Sequence, residues 1–325
     1  MGKDYSKNHI VPKCYLDRFA EPGRSEYIIG TRLNKDGELK FYKQATDNVG
    51  YIKDFYDVDD KDDTKYWEHY FAGTQDSLCG APLGRIVAAA TMAKPDTRIL
   101  NDQEKDVLAR IIMSQLLRVP SSINHTKTLY PAVSKSIKAI TRSALPLAAR
   151  SKFEKASRRA ELTDKELMQL HLNSCFDPEL FEKYCAILKS RIWIVARNTQ
   201  RSNMPFVTSD HPVLVEGFFN QQKGLYANGI ANALTGIFFP VSPSVAILNY
   251  SCDGLLFLAD KHIDKSIEGY SDIAAAIYEM LDGRITLLDD IPFIIEKNVA
   301  IMEQAHMFSF ITQPLYDDFL STDNE

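Results

Sequence analysis

No apolar run in this chain approaches the roughly 20 residues that a membrane-spanning helix needs. The longest, around 86–90 and 237–248, fall well short, so no membrane partner is expected. Cysteine is scarce and scattered. Cys14, Cys79, Cys175, Cys185 and Cys252 make an odd set with no C-x-x-C pair, which argues against both a structural zinc site and a disulfide framework. The opening Met1-Gly2-Lys3-Asp4-Tyr5 lacks the apolar core of a signal peptide. These absences point to a cytoplasmic protein with reduced thiols. Catalytic fingerprints are missing too: there is no G-x-x-x-x-G-K-[ST], no G-x-G-x-x-G, no G-x-S-x-G and no H-E-x-x-H. Net charge is only −5, so any attraction for nucleic acid has to come from a local patch.

What is present reads as an ordinary globular chain of 325 residues, 45% hydrophobic and 25% charged. One large domain over 1–325 is expected, with four sub-regions. Residues 1–58 hold a short amphipathic helix starting near Pro12 and a β-hairpin turning at Asn34-Lys35-Asp36-Gly37, with a third extended piece at Phe55-Tyr56-Asp57-Val58. Residues 59–190 are helical. An acidic start at Asp59, Asp60, Asp62 and Asp63 leads into a helix from Thr64, and Asn101-Asp102-Gln103-Glu104 caps a strong helix that ends at Pro120. Residues 191–260 are a second β region, in which Pro240 and Pro243 mark an edge or a break. Residues 261–325 are helical: 267–281, then 293–310. Strands in two groups separated by helices predict an α+β fold, mostly helical, with two small and mainly antiparallel β regions.

Three positions stand out chemically. Asp210 lies in Ser209-Asp210-His211-Pro212, a turn between the strand-like stretches 205–207 and 213–215, where side chains project beyond a sheet. It is a candidate base or ligand, or an Asp that bonds turn backbone. Ser209, Asp210 and His211 are not a triad, because neighbours on a strand point apart. His9 precedes the first helix and titrates near neutrality, as a general acid or base or as a cap. Gln115 and Arg118 share a helix face, so they fit a fork for carboxylate or phosphate, or bonds to the last carbonyls of their own helix. Glu68 and His69 have no (i, i+4) partner of ligand type, and no metal ligands are assigned. From Lys135 to Arg159, eight bases face one acid, Glu154. This is either a phosphate-contacting face or a solvated helix surface, and it carries no interleaved aromatics for base stacking.

His9-Ile10-Val11-Pro12-Lys13-Cys14-Tyr15-Leu16-Asp17-Arg18-Phe19 resembles the opening motif of an uncharacterised, mainly bacterial family, domain of unknown function 4238. Phe55-Tyr56, Gln115-Leu116-Leu117-Arg118-Val119-Pro120, Trp193, Phe206-Val207-Thr208-Ser209-Asp210, Phe239-Pro240-Val241-Ser242-Pro243 and Asn298 are similar to family segments in the same order. Two positions depart from the pattern. His211 stands where the family usually has Asn, and Gln75-Asp76 stands where a Glu is expected, which puts the role of that carboxylate in question. The resemblance implies no stated activity. It does imply a shared polar set, His9, Gln115, Arg118, Ser209, Asp210 and Asn298, that converges on one site.

The expected function is a hydrolase or transferase for a phosphate-bearing substrate, a nucleotide or nucleic acid. His9 and Asp210 would be the catalytic groups, and Gln115, Arg118, Ser209 and Asn298 would bind substrate. The basic stretch would guide the substrate, and a divalent metal is the one cofactor kept open. The alternative is a non-catalytic module that binds a ligand or a protein with the same residues.

Overall fold

The computed structural model describes residues 7–20, 27–33, 38–58, 63–159, 161–217, 229–258, 269–313 and 315–317. The chain opens with strand β1 (Lys7–His9) and a single helical turn, α1 (Lys13–Leu16), which begins directly after Pro12. The expected hairpin follows as β2 (Tyr27–Leu33) and β3 (Leu39–Ala45), paired from Tyr27 opposite Ala45 to Leu33 opposite Leu39. Its tip at Asn34-Lys35-Asp36-Gly37 lies outside the described residues. The extended piece expected at Phe55-Tyr56-Asp57-Val58 is a turn instead. The third strand comes just earlier, β4 (Tyr51–Lys53), and it pairs with β1 so that His9 lies opposite Tyr51.

The helical middle holds α2 (Tyr66–Tyr70), a π-helical turn (Phe71–Gln75), α3 (Asp76–Cys79) and α4 (Ala81–Met92). Asp59, Asp60 and Asp62, the expected acidic lead-in, lie outside the described residues. Next come α5 (Asp102–Arg118), α6 (Pro120–Ala144), α7 (Leu147–Arg159), α8 (Asp164–Cys175) and α9 (Pro178–Lys189). Capping chemistry sets several of these starts. Asn101 and Glu104 form a reciprocal capping box on α5, and Thr163 and Glu166 form another on α8. α5 stops because a residue before proline is pushed out of the helical region. Val119 accordingly sits at φ −72°, ψ 153°, and Pro120 opens α6 at once.

The remainder comprises β5 (Ile192–Asn198), β6 (Thr208–Ser209), β7 (Leu214–Gly217), β8 (Thr235–Ser242), β9 (Val245–Tyr250), α10 (Cys252–Leu258), α11 (Tyr270–Leu281), β10 (Arg284–Leu288), α12 (Ile291–Glu303) and β11 (Ser309–Ile311). The fold is α+β, mostly helical, with small and mainly antiparallel sheets. Among the described residues the strands are distributed over three sheets: β1-β4, β10-β5-β9-β8-β7, and β3-β2-β11-β6. Among these strands only β10 against β5 is parallel. Every residue of β8 and β9 is buried, which explains their near-continuous apolar sequence. β8 bulges between Pro240 and Ser242, beyond the end of its pairing with β7, where a missing N–H does least harm.

The last third corrects the all-helical expectation, because β10 and β11 interrupt it. β11 joins β2 to β6, so Phe310 faces Gly30 on one side and Thr208 on the other. The stretch around Asp210 therefore does not turn back within one sheet. It passes from the sheet of the N-terminal hairpin to the five-stranded sheet. Among the described residues no helix is long and apolar enough to cross a membrane.

Candidate functional site

The polar positions fall into two groups. The first surrounds the end of α5. Arg118 is the last residue of that helix and is fully buried, an arrangement that a guanidinium tolerates only when its N–H groups are matched. Its Nη1 donates to Asp76 Oδ1 at 2.6 Å and its Nε to the carbonyl of Ile10 at 2.9 Å. Its plane lies 5.2 Å from the ring centre of Phe71. Gln115, one turn earlier, completes the set. With its amide oxygen turned to the guanidinium it accepts from Nε at 3.2 Å and Nη2 at 3.1 Å, while its nitrogen donates to the Ile10 carbonyl at 3.3 Å. The fork thus holds this chain's own Asp76 and backbone; it is not an open clamp for a ligand anion.

Ile10 follows His9, so the same fork fixes the imidazole's backbone. Gly50 adds to that anchoring: its carbonyl accepts from the N–H groups of Ile10 and Val11 at 2.9 and 3.1 Å. Its φ of +67° suits glycine, and a Cβ there would come within 2.8 Å of Leu16 Cδ1. Asn8 points the other way from His9 along β1 and is buried. Its Oδ1 accepts from the N–H of Tyr56 at 3.0 Å, and its Nδ2 donates to Glu68 Oε2 at 3.1 Å. The Tyr56 hydroxyl then donates to the Arg118 carbonyl at 3.0 Å, closing the network.

His9 is partly buried and packs near Tyr51, ring centres 6.0 Å apart. Its Nε2 is buried without a hydrogen-bond partner. Burial lowers the imidazole pKa below its ordinary value, Asp76 pulls it up, and Arg118 and Lys7 push it down. The Glu68 carboxyl moves the opposite way: burial raises it, Asn8's donation lowers it, and Asp76 raises it further. Asp76 begins α3 directly after the π-helical turn, a local irregularity frequent at functional sites. The backbone carbonyl of Asp76 accepts from the Cys14 thiol at 3.5 Å.

The second group is built into backbone. Asp210 is buried, and its carboxylate accepts from the N–H of His306 at 2.7 Å, Met307 at 2.6 Å and Phe308 at 3.1 Å, clasping the loop between α12 and β11. Burial still raises its pKa against those three donors. Ser209 Oγ accepts from the N–H of His211 at 3.1 Å and donates to its carbonyl at 2.9 Å, a local turn bond. Asn298 on α12 accepts from the Val207 N–H at 3.0 Å and donates to the Pro205 carbonyl at 2.9 Å. His211 Nδ1 lies 3.4 Å from Ser121 Oγ, and its carbonyl accepts from Gln304 at 2.6 Å.

His9, Gln115 and Arg118 are thus brought together, and Ser209, Asp210 and Asn298 are brought together separately. Neither a hydrogen bond nor an ion pair joins the two sets. The polar set expected on one site is thus held in two hydrogen-bonded groups, which adjoin where Ser121, three residues past Arg118, lies 3.4 Å from His211. Sequence reasoning missed Asn8, and it left the carboxylate near position 76 in question, whereas Asp76 is the direct partner of Arg118. The available signal was the pair Glu68 and Asp76, two acids flanking an otherwise aromatic and apolar helical stretch. Among the described residues no group of three His, Cys, Asp or Glu side chains is placed to hold a metal ion.

Among the bases of the long helices, Arg142 pairs with Glu154 at 2.5 Å and Lys138 donates to the Ser157 carbonyl at 3.0 Å. Lys135, Lys152 and Lys155 are exposed and unpaired. The side chains of Arg158 and Arg159 lie outside the described residues.

Searches among curated proteins and among solved structures return no match. A family model described as "Protein of unknown function (DUF4238)" matches residues 7–284, a span that takes in His9, Asp76, Gln115, Arg118, Ser209 and Asp210. The chain therefore belongs to that family.

Proposed function

We propose that the chain is an enzyme, a hydrolase or transferase acting on a phosphate-bearing substrate, with His9 as the proton-accepting group. The observation that carries this reading is the buried, unpartnered Nε2 of His9 in an environment that favours the neutral imidazole. A base must be unprotonated at working pH and have a nitrogen not already engaged, and both conditions favour His9. Asp76, whose charge favours the protonated ring, stabilises the imidazolium that forms. Arg118 and Gln115 act as positioning residues, fixing His9 through the Ile10 carbonyl and setting Asp76 in place. Asp210, Ser209 and Asn298 then contribute by holding the 205–211 segment and the loop after α12, and their polar atoms are already occupied. The unpaired Lys135, Lys152 and Lys155 supply a local positive surface for a nucleotide or nucleic acid in a chain that is acidic overall.

The test is turnover of a panel of nucleotides, phosphate esters and short DNA and RNA by wild type and by His9→Ala. Wild type should turn over at least one member. His9→Ala should lose on the order of 100-fold or more, the usual contribution of a general base, with its far-UV spectrum retained. The wild-type profile should fall on acidification through a pKa below 6.5. A folded His9→Ala that keeps its activity refutes the assignment. The non-catalytic reading has one observation in its favour: the guanidinium of Arg118 is fully occupied within the chain. Ligand binding by wild type with no turnover across the panel would select it.

A further inference from the structure

The proposed site leaves the outer half of α6 unexplained. Pro120 and Ile123 at its start are buried, but Pro131 sits inside the helix, and beyond it the helix stands away from the core. Val133, Ile137 and Ile140 are 46%, 58% and 69% exposed, and Leu147, at the start of α7, is 81% exposed. Tyr130, Val133, Ile137, Ile140 and Ala144 are spaced alternately three and four residues apart, the period of a seam between two helices packed along their length.

What borders that seam says what covers it. The flanking positions are Ser134, Ser136, Thr141 and Ser143, small and uncharged. Lys135, Lys138 and Arg142 fall on the opposite side of the helix, and Lys138 is turned onto α7 through the Ser157 carbonyl. A lipid surface is met by bases that border the apolar face, and nucleic acid has no use for a stripe of Val and Ile. Another helix does. The charge distribution then favours this same chain as the partner. Nine bases against one acid lie between Lys127 and Arg159, so the rest of a chain of net charge −5 carries thirteen excess negative charges. Antiparallel pairing of two α6 helices lays the basic hairpin of each copy toward the acidic body of the other, whereas parallel pairing would set body against body. A two-fold axis passing near Ile137 makes the seam self-complementary.

We propose that the protein forms a two-fold dimer through antiparallel packing of α6, with Val133, Ile137 and Ile140 at its centre and the α6–α7 hairpins of the two copies forming a four-helix unit. The test is sedimentation of the full chain from about 1 to 100 µM, a range bracketing ordinary specific association, for wild type, Ile137→Lys/Ile140→Lys and Ile137→Ala/Ile140→Ala. Wild type should sediment at twice 36.8 kDa. The Lys pair should be monomeric with its far-UV spectrum retained and a melting temperature that no longer rises with concentration, and the Ala pair should dissociate at least 10-fold more readily. Oxidative cross-linking separates the pairing mode from a loose encounter: Ile137→Cys should link to itself across the axis, and Lys135→Cys, on the far side, should not. A wild type that stays monomeric at the highest concentration, or an Ile137→Lys/Ile140→Lys variant as dimeric as wild type, overturns the proposal. Capture of monomeric wild type by anionic vesicles that the Lys pair escapes would overturn it in favour of a lipid surface.

Discussion

Replacing Asp76 by Asn tests the interior electrostatics most directly. The substitution keeps shape and removes the charge that faces Arg118 at 2.6 Å. The guanidinium side chain has no exposure while Asp76 retains 21%, so the two partners are not equivalent. Asp76 can be partly hydrated, but Arg118 cannot. Breaking a buried pair by removing one member costs about 3–5 kcal/mol, because the other charge is left in the interior. Here the Ile10 carbonyl, Gln115 and the Phe71 ring remain around the cation, which argues for the lower end, about 3 kcal/mol. At roughly 2 °C per kcal/mol for a chain above 150 residues, the melting temperature should drop on the order of 6 °C. Urea unfolding at low and high salt adds a second readout. A desolvated pair is little screened, so the loss should persist in 0.5 M salt. The surface pair Lys13–Asp17, with side chains 38% and 31% exposed, is the control and should contribute under about 1 kcal/mol and fade with salt. An Asp76→Asn protein within about 1 kcal/mol of wild type, or a loss that disappears with salt, would show that Arg118 is not held as described.

Two further outcomes follow from the other buried groups. Asp210→Ala removes the acceptor for three backbone N–H groups. Because His306 and Met307 are exposed, water replaces part of the loss, giving about 2 kcal/mol together with faster amide exchange confined to 306–308; unchanged exchange there would contradict the clasp. His9, His171 and His211 all have imidazole pKa values lowered from 6.5, burial being the first cause in each. Each binds its proton more weakly folded than unfolded, so their contribution is intact above pH 6.5 and is lost as pH falls through that value toward the folded pKa. The melting temperature should therefore drop between pH 7.5 and 5.5, less steeply in His171→Gln, and a flat profile would count against buried neutral rings.

Local chemistry was readable in the sequence wherever a local rule decides the outcome. The caps at Asn101 and Thr163 and the hairpin after Tyr27 formed as their residues dictate. Arg118 and Gln115 were recognisable as a pair because helical spacing alone aligns them. Their true ligands were not, because Asp76 and the Ile10 carbonyl reach them only through tertiary packing. β10 and β11 were invisible for a similar reason. Each is short, and each is held as a strand by a partner 90 or more residues away in sequence, Ile194 to Asn198 for β10 (Arg284 pairs with Ile194) and Gly30 with Thr208 for β11. Asp210 stood out as a turn residue, but which backbone it clasps depends on β11 being where it is. His9 was singled out from its place beside α1; its burial and its unpartnered nitrogen come from β4 and the Arg118 network, which no local pattern reveals.

The position of β11 also orders events in time. The N-terminal hairpin is synthesised first, yet its neighbour in the sheet is residues 309–311, and only through that strand does β6 join. On a ribosome, β2 presents an open edge while most of the chain is still being made, an exposure that invites wrong pairing. The sheet can close only once residues 309–311 are made, and with them the loop that Asp210 clasps. Residues 309–311 thus act as a latch on the N-terminal hairpin, and making them is a condition for giving β2 its second neighbour.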